Sequence, residues 1–78
     1  MIYVLIPIWA EWHDMRLFST YAAMEVEVLE KARYRKERSV DPDWCFVIAF
    51  DGSDELKPVW NYYINKRSLR LDRFPVNQ

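Results

Sequence analysis

Two stretches of the chain, Ile2 to Trp9 and Trp44 to Phe50, are apolar at nearly every position, and the remaining sequence offers one predicted helix to cover them. In the first, Ile2, Val4, Ile6 and Ile8 alternate with Tyr3, Leu5, Pro7 and Trp9, so a strand here is apolar on both faces. The second is seven consecutive apolar residues between turn signals, too short for a typical helix, and reads as a central strand buried on both sides. A helix can lie on only one side of a sheet. The other side then needs a second cover, because soluble monomers rarely expose a contiguous apolar patch of more than a few hundred Å2.

The chain between and after these strands sets the rest of the architecture. Pro7 lacks an amide donor, which places the end of the first strand at an edge, a bulge or an unpaired position. Ala10 to His13 reads as a connection and Asp14 to Phe18 as a short second strand. Ser19 or Thr20 caps a helix predicted over Thr20 to Arg38, with Glu25, Glu27 and Glu30 in its first half and bases in its second, as the helix dipole favours. Glu27 and Lys31 form a favourable i,i+4 pair. Tyr21, Ala22, Met24, Val26, Val28, Leu29 and Ala32 are read as one broad apolar arc, with Glu25 projecting into its middle. Asp41-Pro42 marks a turn. Val59 to Asn65 returns from the Trp44 to Phe50 strand through a loop from Asp51 to Pro58, in which Gly52 is expected to take a positive φ. Ser68 to Phe74 suits a short edge strand guarded by bases, so that residues 69–78 form an edge strand and tail. The whole, residues 1–78, reads as a single α+β domain: a two-layer sandwich with one amphipathic helix on a mainly antiparallel sheet of four to five strands, in ββαββ order.

Composition excludes several chemistries. One glycine cannot build a P-loop, a dinucleotide fingerprint or a GXXG loop, each of which needs at least two backbone positions without a Cβ. One cysteine and one histidine leave no disulfide framework and no four-ligand zinc site, and permit a reducing, cytoplasmic setting. Residues 1–10 are apolar but lack a basic leader and are too short for a bilayer span, so neither a signal peptide nor a membrane segment is expected. The net charge is −1, with most bases in two runs, Lys31 to Arg38 and Lys66 to Arg73, separated by Asp41, Asp43, Asp51, Asp54 and Glu55. Such a bipolar distribution can steer an encounter, although a solvated helix end with a charged tail is the favoured reading of it.

The residues that could carry chemistry have simpler readings. Glu11, His13 and Asp14 offer only two convergent ligands in extended chain, so a solvated turn is favoured over a metal site. Cys45 lies between Trp44 and Phe46, where a thiol acts as core filler rather than nucleophile. Glu25, within the apolar arc, fits an ion pair, an interface contact or partial exposure better than a general acid. No catalytic, cofactor or metal residues are therefore assigned.

At Arg16-Leu17-Phe18-Ser19-Thr20-Tyr21, a strand entering a helix, followed by the apolar strand Trp44 to Phe50 and its hairpin, the chain resembles small ββαββ accessory proteins of phages, large DNA viruses and bacteria. The resemblance spans Ile2 to Asn65 and implies an accessory or inhibitory protein that acts by binding, within a host cytoplasm where the source is viral.

The aromatic share, 17%, exceeds what one helix on one sheet can bury. On the first strand the aliphatic side suits the helix, which would leave Tyr3, Leu5 and Trp9 outward. On the central strand, either Trp44, Phe46, Ile48 and Phe50 or Cys45, Val47 and Ala49 face the helix. The expected interaction surface comprises Tyr3, Trp9, Trp44, Phe46, Trp60, Tyr62 and Tyr63 with Glu25, Arg33, Arg35, Lys36, Arg38, Arg67 and Arg70. It points to a homodimer through an aromatic sheet face or docking onto another protein. The alternative is RNA or single-stranded nucleic acid, with bases stacked on the aromatics and phosphates along the basic runs.

Overall fold

The computed structural model describes residues 1–9, 14–52 and 57–76. Five strands and one helix follow in the order β1 (Ile2–Pro7), β2 (Arg16–Phe18), α1 (Tyr21–Glu37), β3 (Cys45–Phe50), β4 (Pro58–Asn65) and β5 (Arg70–Pro75). All pairings are antiparallel, and the sheet order is β2-β1-β3-β4-β5, with α1 packed on one side. This is the two-layer α+β sandwich that the sequence pattern predicts. β1, β3 and β4 occupy the interior of the sheet, with β2 and β5 at its edges. The register of β2 on β1 ends at Leu5↔Arg16, so Pro7 lies beyond its reach and its missing amide costs that pairing nothing.

Register decides which residues share a face. Tyr3↔Ala49, Leu5↔Val47 and Pro7↔Cys45 join β1 to β3, and Ala49↔Trp60 and Val47↔Tyr62 join β3 to β4. These residues face the helix. Leu5, Val47 and Ala49 are completely buried, and Cys45 is nearly so. The expected orientation of β1 is therefore reversed: Tyr3, Leu5 and Pro7 lie beneath α1, and the aliphatic set Ile2, Val4 and Ile6 faces away. Size explains the choice. Cys45, Val47 and Ala49 on β3 are small, and the larger side chains of the flanking strands and of the helix fill the layer between them and α1.

Thr20 caps α1, its hydroxyl accepting from the Ala23 amide at 3.3 Å. The buried stripe is Met24, Val28, Leu29 and Ala32, with Tyr21 and Glu25 half-buried beside it. This is narrower than the predicted arc. At about 100° per residue Val26 points roughly opposite Val28, and it is 54% exposed; Ala22 is exposed as well. Nor does Glu27 pair with Lys31: it takes Arg16 of β2 instead.

The helix ends in a Schellman motif, with Ser39 N–H donating to Lys36 O at 3.1 Å and Val40 N–H to Arg35 O at 2.9 Å. Ser39 at the αL position has φ 58°, and Leu69 in the β4–β5 turn has φ 52°. Gly52 does not take a positive φ, contrary to expectation, so the chain's single glycine serves neither left-handed site. The β4–β5 turn is held by Asn65, whose Oδ1 accepts from the Arg67 and Ser68 amides at 3.0 and 3.2 Å, while Leu69 is partly buried against the core.

Two stability outcomes follow. Ser39→Gly removes the αL penalty and stabilises the fold by about 1 kcal/mol, raising the melting midpoint by roughly 4–8 °C. Trp44→Phe deletes the buried bond from the indole N–H to Val28 O, 3.1 Å long, and lowers stability by about 1–2 kcal/mol. Chemical denaturation of both variants at equal protein concentration checks them together.

Candidate interaction surfaces

The side of the sheet turned away from α1 carries Ile2, Val4 and Ile6 of β1, Leu17 of β2 and Phe46, Ile48 and Phe50 of β3. β4 contributes Asn61, Tyr63 and Asn65, and β5 contributes Arg70, Asp72 and Phe74. No element of the described chain covers it. Leu17 is 71% exposed and Phe74 50%, while Val4, Ile6, Phe46, Ile48 and Phe50 are only half-buried, shielded by neighbours on the same face. Across β3, β4 and β5 the rings form a continuous row. Phe46 stacks on Tyr63 with centroids 6.2 Å apart, and Tyr63 meets Phe74 edge-on at 5.7 Å.

The expected surface residues divide. Phe46, Tyr63 and Arg70 lie on this open face. Tyr3, Trp44 and Tyr62, expected outward, belong instead to the core, 9%, 3% and 6% exposed. Tyr3 and Tyr62 pack with Tyr21 over Ala49, whose small side chain makes room for the rings. Trp44 closes the other end of the helix–sheet seam. Trp9 stacks on Trp44 at 5.9 Å, and Lys31 Nζ stands 5.0 and 4.6 Å from the two ring centroids. Trp60 lies on the helix side of β4, under the Arg73 guanidinium at 3.9 Å. Glu25 accepts a hydrogen bond from Tyr21 on the same side, away from the open face. Ile2, Ile48, Phe50, Leu17 and Phe74 are on the face but not among the expected surface residues; the alternation of β3 and β5 is the signal for Ile48, Phe50 and Phe74, whereas Ile2 and Leu17 are placed only by the cross-strand register.

The basic runs, separate in sequence, meet at one end of the molecule. Arg33, Lys36 and Glu37 of α1 and Leu69 of the β4–β5 turn line a shallow groove, and Lys36 Nζ donates to Lys66 O at 3.5 Å. Arg38 packs on the Tyr34 ring, its guanidinium carbon 3.5 Å from the centroid, and Arg67 is exposed in the turn. Asp41 joins this basic end rather than an acidic one: Lys66 Nζ lies 3.1 Å from its carboxylate, and Arg35 donates to its carbonyl at 2.7 Å. The Asp43 amide and then Lys66 hold the Asp41 carboxyl below its ordinary range.

Glu11 and His13 lie outside the described residues. Among those described, no group of three or more His, Cys, Asp or Glu could hold a metal ion, and no helix is long and apolar enough to cross a membrane. Burial, reinforced by Asp43, pushes the Cys45 thiol from 9.0 up to about 12, the behaviour of core filler. Comparison of the chain with protein-family models, curated proteins and solved structures finds no match.

The Cys45 and Tyr21 shifts fix a pH dependence. Both groups bind their protons more tightly when folded, so their contribution to stability is complete below the unfolded values of 9.0 and 10.0. It is lost as pH rises towards about 12. Alkaline denaturation series are expected to show stability falling above about pH 9, and a thiol reagent at pH 8 to label Cys45 only after denaturant is added.

Proposed function

We propose that this protein is a non-enzymatic interaction module that self-associates through the open sheet face, as an accessory protein acting by binding. The observation that carries the reading is the uncovered row Phe46, Tyr63 and Phe74, beside the aliphatic side chains of Ile2, Val4, Ile6, Ile48 and Leu17. Five strands about 4.8 Å apart and some six residues long present roughly 500 Å2 per copy, so two facing copies remove about 1,000 Å2 from water, the lower limit for a specific interface. Charge favours a second copy over a polyanion: this face bears one cation, Arg70, and one anion, Asp72, and its centre is apolar. A two-fold dimer uses the same patch on both partners, as a nearly neutral face allows. Once associated, the domain would offer its basic ends, with Arg33, Arg35, Lys36, Arg38 and Arg67, to an acidic partner.

Single-stranded nucleic acid is the second reading. Its support is that the aromatic row lies next to Asn61, Asn65 and Arg70, the residue types of a base-stacking platform.

Light scattering coupled to gel filtration is expected to give a dimer at micromolar protein, and Ile48→Lys, which puts a charge at the centre of the face, to give a folded monomer. A folded wild-type monomer at those concentrations would overturn self-association. If a single-stranded RNA or DNA instead perturbs Phe46, Tyr63 and Phe74, with affinity falling steeply as salt is raised, the nucleic-acid reading replaces it.

A further inference from the structure

The helix leaves part of its own side of the sheet uncovered. Between the first turns of α1 and the β4–β5 ribbon lies a groove of about 410 Å3, lined by Tyr3, Tyr21, Tyr62, Leu71 and Arg73. The three phenol rings form one cluster, with centroid separations of 6.1 Å for Tyr3–Tyr21, 6.2 Å for Tyr3–Tyr62 and 5.5 Å for Tyr21–Tyr62. Arg73, opposite Tyr62 in the β4–β5 register, lies over the Trp60 ring. Stacking on an aromatic face holds a guanidinium flat and directs its N–H groups sideways, the arrangement suited to gripping a carboxylate or phosphate.

The charge state of the lining points the same way. A phenol at its ordinary value of 10.0 is already neutral at physiological pH; burial pushes Tyr3 higher still, and burial followed by the hydrogen bond and charge of Glu25 pushes Tyr21 up to about 12. The groove thus combines one cation, the hydroxyls of Tyr3 and Tyr62, and apolar surface from Leu71 and the tyrosine rings. Glu25, the acid beside it, is engaged with the Tyr21 hydroxyl.

We propose that this groove binds a small anionic ligand, a carboxylate or phosphate carried on a flat ring, with the anion held by Arg73 and the hydroxyls of Tyr3 and Tyr62 and the ring packed on Leu71. The site lies on the opposite side of the sheet from the proposed dimer face and does not depend on it.

The test is a titration of the 15N-labelled full chain with phenyl phosphate and with benzoate, using inorganic phosphate and benzyl alcohol as the separated halves of the ligand. At least one of the two complete probes is expected to give saturable shifts at the Trp60 indole and at Leu71 and Arg73, with a dissociation constant near 1 mM or tighter. The stronger of them identifies the preferred anion, and each half binds at least about tenfold more weakly than the intact probe. Arg73→Gln, at an exposed position, weakens binding about tenfold or more, and Leu71→Glu abolishes it by placing a like charge in the groove. The proposal is overturned by either of two results. One is the absence of saturable shifts up to about 10 mM; the other is binding that survives Arg73→Gln unchanged or is matched by benzyl alcohol.

Discussion

The structure depends on one packing choice: the helix rests on the small side of β3, over Cys45, Val47 and Ala49. That choice is held at one end by the buried indole of Trp44, which donates to the Val28 carbonyl, and at the other by the rings of Tyr3, Tyr21 and Tyr62 gathered over Ala49. Strand side chains alternate strictly, so placing the small set under the helix sends Phe46, Ile48 and Phe50 to the other face together. A slip of one residue would place three large side chains beneath α1 and three small ones outside. The overpacking on one side and the lost burial on the other both oppose that slip. The open aromatic face is therefore the other half of the arrangement that docks the helix.

Much of this was legible in the sequence and some was not, for identifiable reasons. Element order and approximate limits could be read because each signal was local: Thr20 as a cap, Asp41-Pro42 as a break, and the seven apolar residues of the central strand. Orientation depends on cross-strand partners. Tyr3 is buried because it stands opposite Ala49, and Tyr62 because it stands opposite Val47, and neither partnership can be read from a single segment. Counting apolar residues made the aliphatic side of β1 look like the core side, whereas the deciding quantity was volume against β3. That misreading is what turns Tyr3 outward; Trp44 and Tyr62, also among the expected surface residues, are drawn into the core by contacts no single segment reveals. Phe46, Tyr63 and Arg70 lie on the open face because their strands alternate large or polar residues against buried ones.

The charges show a related limit. Asp41 and Asp43 sit nearer Asp51 in sequence than they do in function. The fold returns β4 to the helix C-terminus, so Asp41 spends its charge on Lys66 and its carbonyl on Arg35, while Asp51 stays at the far end of the β3–β4 hairpin. The basic end is consequently part neutralised from within. A patch of that kind can orient an acidic partner, but its affinity must come from shape and apolar area rather than from charge alone.

Those two needs meet on the open face. Val4, Ile6, Phe46, Ile48 and Phe50 are half-buried, so part of their apolar area stays in contact with water in a domain whose small size leaves it a modest core. A second copy laid on that face would complete their burial, so the residues that mediate association would also supply part of the folding free energy. Folding and association would then be linked by mass action, and stability would rise with protein concentration. The Tyr3, Tyr21 and Tyr62 groove lies outside this linkage, on the helix side of the sheet, where β4 and β5 extend beyond α1. A sheet of five strands under a single helix leaves uncovered surface on both of its sides. On one side the surface is broad, apolar and nearly neutral, which suits a copy of itself; on the other it is narrow, hydroxyl-lined and cationic, which suits a small anion.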